Sequence, residues 1–249
     1  MRLKEAMSEK VTPYKDTSRS KKEQVTEMFD TISGTYDNLN RVITFGIDLK
    51  WRKKLIKWVA ATEPNCVLDI ATGTGDLAIA LAKETEAQEI IGLDISPGML
   101  DIGKGKVNAQ GLNPRIQMVI GDSENLAYPD AYFDAITVAF GVRNFENLNK
   151  GLSEIYRCLK PGGILAILET SVPTNPLIKA GYGLYTKLFL PTIGKLFSKD
   201  RSAYAYLSES ASKFPFGKAF NNILTKNGFI EVVNKPQTFG VATIYTATK

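Results

Sequence analysis

From Val67 onwards, short apolar runs alternate with segments long enough for a few turns of helix. Val67–Ile70, Glu89–Ile95, Ile116–Asp122, Tyr132–Phe140 and Ile164–Glu169 have the length and composition of strands. Helical spacing follows three of them, near Asp76–Lys83, Pro97–Gln110 and Asn147–Leu159. Strands joined by such helices need right-handed crossovers and a parallel sheet covered on both faces. A further helix near Ala219–Lys226 precedes two late runs, Phe229–Val233 and Val241–Ala247. Those runs are close enough to pair as a hairpin, which adds an antiparallel element to the sheet. The fold class expected is α/β: a doubly wound, mostly parallel, Rossmann-like sheet of seven strands.

Two regions depart from that rhythm. Residues 1–60 are expected to form an N-terminal arm and helical cap, ahead of a sheet domain over 61–249. Residues 1–20 lack periodicity and look like a loose arm. Val25, Met28, Phe29 and Ile32 predict a helix over Lys21–Ile32, and a second is expected over Leu49–Ala60. Residues 172–214 carry Leu177, Tyr182, Tyr185, Leu188, Phe189, Ile193 and Phe197 among glycines and Pro191. That stretch predicts an apolar helical insertion before the last two strands. It would serve a lipid-like substrate, face a membrane, or simply pack as core or dimer contact.

Composition narrows the chemistry. Histidine is absent, so imidazole bases and Ser-His-Asp or Cys-His catalysis are excluded. Cys66 and Cys158 are isolated from each other, with no CxxC, and predict buried free thiols and no metal site. No apolar run reaches the roughly 18–20 residues a membrane span needs, and the polar start shows no secretory signal. A cytoplasmic protein is expected. The net charge of +5 is concentrated in residues 1–60, which hold 13 Lys or Arg against 8 Asp or Glu. Such a cap could meet anionic lipid or nucleic acid, or be an ordinary solvated face.

Ligands of open parallel sheets bind beyond the carboxyl ends of the strands. The notable polar residues fall there: Asp69 and Gly73-Thr74-Gly75 at the first strand, Asp94 at the second, Asp122-Ser123 at the third, Arg143 and Asn144 after the fourth. Gly73 and Gly75 allow a tight turn and close approach to a ligand. Asp94 falls 19 residues after Gly75, the spacing of a carboxylate that accepts from ribose hydroxyls. With Ala78, the loop also fits the dinucleotide pattern G-x-G-x-x-A, so an NAD-dependent oxidoreductase stays open. Asp69, the polar run from Gly121 to Asn125, and the terminal hairpin in place of a second nucleotide-binding half favour S-adenosyl-L-methionine.

Asp69–Asp76, Gly92–Ser96 and Leu159–Gly163 are similar to the motifs of class I methyltransferases. Tyr36–Arg41 with Gly46 and Trp51, Phe140–Asn144, and Arg157–Ser171 resemble the narrower group of UbiE/MenG-type quinone C-methyltransferases. That family's first signature has a His before the Trp, where this chain has Asp48. The resemblance, from about Val25 to the C-terminus, implies methylation of a ring carbon on a polyprenylated hydroquinone, demethylmenaquinol to menaquinol first among them. A ubiquinone-pathway benzoquinol, another small molecule or an RNA are the other acceptors considered. It implies Arg143 as a cation favouring the hydroquinone anion, Asn144 as a donor to a ring oxygen, Asp37 as the carboxylate base, and Tyr36 and Asn40 closing over the substrate as part of a lid. It implies no nucleic-acid partner, and it leaves room for a homodimer and for peripheral contact with the inner face of a membrane.

Overall fold

The computed structural model describes residues 11–186 and 201–249. Residues 1–10 of the expected loose arm, and the part of the apolar insertion that contains Leu188, Phe189, Pro191, Ile193 and Phe197, lie outside the described residues; residues 11–20 are not loose, since Gln24 accepts from Tyr14 N at 3.0 Å and donates to Asp16 O at 2.8 Å.

The seven strands are β1 (Cys66–Ile70), β2 (Glu89–Asp94), β3 (Ile116–Ile120), β4 (Phe133–Ala139), β5 (Leu159–Thr170), β6 (Ile230–Gln237) and β7 (Ala242–Thr248). They form one sheet in the order β3-β2-β1-β4-β5-β7-β6. β1 to β5 run parallel, and β7 is antiparallel to both β5 and β6. The order reverses between β1 and β4, and a crevice at such a switch point is where open α/β sheets bind ligands. The expected class, a mostly parallel, Rossmann-like sheet of seven strands with a terminal hairpin, is the one observed.

Helices α1 (Lys21–Thr44), α2 (Ile47–Ala60), α3 (Asp76–Glu84), α4 (Pro97–Ala109), α5 (Leu148–Cys158), α6 (Pro176–Leu184), α7 (Arg201–Lys213) and α8 (Lys218–Lys226) surround it. Period-2 alternation in the strands splits the core in two. Leu68, Ile70, Ile136, Val138 and Ile167 meet Leu152, Ile155, Phe220 and Leu224 on one face. Val67, Ile90, Ala135 and Ala166 meet Leu55, Ile56, Val59, Leu77 and Leu81 on the other. A third cluster joins Val25, Met28 and Ile32 of α1 to Met99 of α4 and to Ala203 and Tyr206 of α7. Cap and insertion therefore pack on each other over the strand ends.

Two expectations need correction. α1 does not stop at Ile32 but continues to Thr44, so Tyr36, Asp37 and Asn40 lie within the helix. A Ser20–Glu23 capping box starts it. The Ser33-Gly34-Thr35 run, weak for a helix, is overridden by tertiary ties from Asp37 and Arg41 further along. β5 begins at Leu159, ahead of the expected start at Ile164. The Pro161-Gly162-Gly163 turn is absorbed as an irregularity in its pairing with β4, where register shifts between Phe133 and Ala135.

Candidate active site

At the end of β1 the buried carboxylate of Asp69 accepts from Thr72 Oγ1 at 2.6 Å and from Thr137 Oγ1 at 2.7 Å. It thereby ties β1, β4 and the glycine loop together. Burial pushes its pKa up to about 6, although both hydroxyls and the nearby Arg52 pull it down. With both oxygens taken by threonines, Asp69 braces the turn. Gly73 (φ 58°) and Gly75 (φ 78°) are left-handed, which is where glycine costs least. Ala71 (φ 52°) and Phe140 (φ 60°), at the ends of β1 and β4, take the same region without that licence.

Asp94 accepts from Gly73 N at 2.7 Å and from Ser96 N at 2.9 Å, so β2 holds the glycine loop open. Burial raises its pKa too. Asp94, Gly73, Asp122 and Ser123 line a cleft with Phe29, Tyr36 and Met99. Lys22, from the first turn of α1, reaches Asp122 at 2.6 Å at its edge. The cleft offers an apolar wall for a purine, with carboxylate and hydroxyl acceptors beside it. Those are the groups that an adenine amine and ribose hydroxyls need.

A smaller pocket lies on the other side of the glycine loop, between Asp69, Thr72, Thr74 and Asp76 below and Tyr36, Asp37 and Arg52 above. Asp37 accepts from Thr74 Oγ1 at 2.6 Å and pairs with Lys106 at 2.9 Å. Asp76 pairs with Lys106 and Arg41, which outweigh its burial and hold its pKa below the usual carboxylate value. Asp48, buried at the position where the similar family carries a His, pairs with Arg41 and accepts from Thr44 Oγ1 at 2.7 Å. These ion pairs clasp α1 and α2 over the loop.

The largest of these three spaces opens beside the other two and is walled by Tyr36, Asn40, Ile43, Trp51, Phe140, Tyr182, Tyr185 and Leu207, with Arg143 and Arg52 as buried cations. Arg143 donates to Phe140 O at 2.9 Å and pairs with Glu169 at 2.5 Å. Burial opposes its charge, but the Glu169 carboxylate and the Tyr36 and Tyr206 hydroxyls hold its pKa above the ordinary value. Nε of Arg143 and Oε2 of Glu169 are buried without a hydrogen-bond partner. Tyr36 lines all three spaces, and Phe140 lines the first cleft and the large cavity.

The structure brings Gly73, Asp94, Asp122 and Ser123 to the first cleft, Asp69, Gly73 and Thr74 to the small pocket across the glycine loop, and Tyr36, Asn40 and Arg143 to the large cavity; Gly75 shapes the turn and lines none of the three. Two expected roles do not fit their positions. Asp37 lines the small pocket and is tied to Thr74 and Lys106, away from the large cavity, so it is no base for a substrate held there. Asn144 lines the first cleft, donates to Phe140 O at 3.3 Å and accepts from Tyr206 Oη at 3.0 Å. It supports the loop and does not reach the large cavity. Sequence reasoning missed Lys22 and Arg52. Arg52 had a signal: it occupies the inward stripe of α2, four residues after Asp48, three before Leu55 and seven before Val59, all buried.

A family model described as the ubiE/COQ5 methyltransferase family matches residues 17–249. The demethylmenaquinone methyltransferase of Bacteroides fragilis is 47% identical over 241 residues, which cover 97% of this chain and 98% of that protein. The protein of Geobacter sulfurreducens called ubiquinone/menaquinone biosynthesis C-methyltransferase UbiE is 42% identical over 241 residues, covering 96% and 93%. Among solved structures, a SAM-dependent methyltransferase of Aquifex aeolicus aligns with a TM-score of 0.57 at 20% identity, covering 79% of this chain and 88% of that one. At that identity the likeness carries the fold alone.

Proposed function

This chain belongs to the ubiE/COQ5 methyltransferase family, and from that premise we propose that it transfers a methyl group from S-adenosylmethionine to a ring carbon of a polyprenylated hydroquinone, demethylmenaquinol becoming menaquinol. The observation that carries this reading is the shared wall. Tyr36 and Phe140 stand between a polar cleft at the glycine loop and a large aromatic cavity with a buried cation. One compartment has the groups for a nucleoside, and the other suits a flat apolar ring with an oxygen that becomes anionic.

The donor's sulfonium supplies an electrophilic methyl, so the protein's task is alignment and charge. Gly73, Asp94, Asp122 and Ser123 hold the nucleoside end. Arg143 faces the acceptor and lowers the cost of ionising its phenol, whose unperturbed pKa is about 10. Ionisation spreads charge onto the adjacent ring carbon. The new C–C bond would form as the C–S bond breaks and S-adenosylhomocysteine leaves, and loss of the ring proton to water would restore aromaticity. Glu169 fixes the guanidinium by the ion pair at 2.5 Å. The test is purified protein with methyl-labelled S-adenosylmethionine and a short-chain demethylmenaquinol. Labelled menaquinol is expected; donor binding without transfer to this acceptor would overturn the reading.

The Geobacter relative's name favours a second acceptor, a ubiquinone-pathway benzoquinol. Competition between the two quinols in the same assay separates them. The reading extends to a peripheral membrane contact, because a polyprenylated acceptor dissolves in the bilayer. Phe45 and Lys50 line the large cavity and are themselves exposed, and Leu49, Lys53, Lys54 and Lys57 continue that outer face of α2. Aromatic and lysine side chains together suit an anionic lipid surface. No helix among the described residues is long and apolar enough to cross a membrane. Co-sedimentation with anionic vesicles, lost on Lys50→Glu with Lys54→Glu, is the expected outcome.

A further inference from the structure

Arg52 is a buried cation with too few partners. Its residue exposure is 9%, and Nε hydrogen-bonds to nothing. Its ion pair is with Asp48 at 3.5 Å, a carboxylate already shared with Arg41 and Thr44. The guanidinium lies 5.5 Å from the centre of the Phe140 ring. Taking such a group out of water costs several kcal/mol unless it is both paired and hydrogen-bonded. The position invites an anion, and Arg52 lines both the small pocket at the glycine loop and the large cavity.

We infer that Arg52 binds the α-carboxylate of the amino-acid part of the adenosyl ligand, in the small pocket beside the glycine loop. This rests on the methyl-donor reading above. Among the described residues lining that pocket, Arg52 is the one cation, beside Asp37, Asp69 and Asp76. Asp37 and Asp76 are engaged by Lys106, and Asp69 by two threonines. A zwitterionic chain entering there meets a planar fork matched to a carboxylate. The alternative, an acceptor phenol in the large cavity, is neutral until it ionises and would already face Arg143 there. An amino-acid carboxylate carries its full charge at neutral pH. Tyr36 and Phe140 next to Arg52 place this contact beside the wall where donor and acceptor meet. The same residue would thus hold the amino-acid tail away from the ring.

The test compares two ligands by calorimetry on the full chain: S-adenosylhomocysteine, and 5′-methylthioadenosine, which keeps the nucleoside and sulfur but has no amino-acid group. Arg52→Gln is expected to weaken S-adenosylhomocysteine by about 10- to 100-fold, as for loss of a charge-assisted hydrogen bond, and methylthioadenosine by less than about 2-fold. Arg52→Lys is expected to fall between. Equal weakening of both ligands would make Arg52 a brace for α2 and overturn the inference, as would an unchanged preference between them. If the Gln variant does not fold, the Lys variant carries the comparison, and an unchanged preference there overturns the inference. Wild-type protein that binds neither ligand would overturn the donor reading itself. Wild-type binding with an unaltered Gln variant overturns this assignment alone.

Discussion

The crevice at the strand ends and the large cavity beside it are built by different means. The crevice is made by the sheet: Asp69, the glycine loop, Asp94 and Asp122 all sit at the ends of parallel strands, and their carboxylates are bound by backbone N–H groups, hydroxyls or Lys22. The cavity is walled mainly by appendages, α1, α2, α6 and α7, with Phe140, Arg143 and Thr170 added from the strand ends. A sheet fixes its strand ends through dozens of ladder bonds, whereas packed helices can vary their lining without unmaking the fold. The difference suits a family in which the donor is constant and the acceptor has to be accommodated. It also separates the two sets of expected defects: damage to the crevice falls on donor affinity, damage to the cavity on acceptor turnover.

Arg143→Lys keeps the charge but loses the planar guanidinium that Nη1 anchors to both Phe140 O and Glu169, and it is the sharpest break on the cavity side. Turnover is expected to drop about 100-fold, with S-adenosylhomocysteine affinity within about 2-fold, in steady-state kinetics paired with calorimetry. Asp94→Ala attacks the crevice, removing the acceptor for Gly73 N and Ser96 N. Donor affinity should weaken by about 10- to 100-fold while the acceptor KM stays put. Asp37→Asn sharpens the border between the two. A base would cost about two to four orders of magnitude; a tie between α1 and the loop should cost under about 10-fold in kcat/KM. The smallest effect is a titration. Asp69 is expected to protonate near pH 6 by carboxyl NMR. Because its folded pKa lies above the ordinary 3.8, this group's contribution to stability is greatest in acid and declines as pH rises from about 4 through 6.

How far the amino-acid sequence reveals these regions follows the same division. The crevice was legible because a strand end converts a position in sequence into a place in space, so Asp69, Asp94 and Asp122 could be assembled without knowing any contact. The sheet, its order-reversing crevice and its terminal hairpin follow from the same alternation. The cavity was legible only through the likeness of Tyr36–Arg41 and Phe140–Asn144 to known signatures. Its walls come from segments as far apart as Tyr36 and Val241, which no local pattern links. The extent of α1 was missed because tertiary pairs, not propensity, carry it past Gly34. Asp37 was misassigned for the same reason: a carboxylate near a signature tyrosine looks free until Thr74 and Lys106 are seen beside it. Arg52 was overlooked among Lys50, Lys53, Lys54 and Lys57, although its place on the inward stripe set it apart from them.

Ala211 of α7 lines the large cavity but neither of the spaces at the glycine loop. Filling it with Ala211→Trp tests most directly the claim that one compartment serves the donor and the other the acceptor. Transfer of labelled methyl to demethylmenaquinol is measured for both proteins, alongside S-adenosylhomocysteine affinity. The wild type is expected to methylate the quinol, and the variant to lose at least about 10-fold in acceptor kcat/KM with ligand affinity unchanged. Equal turnover by the two proteins, or a parallel loss of S-adenosylhomocysteine binding, would contradict the division into two compartments.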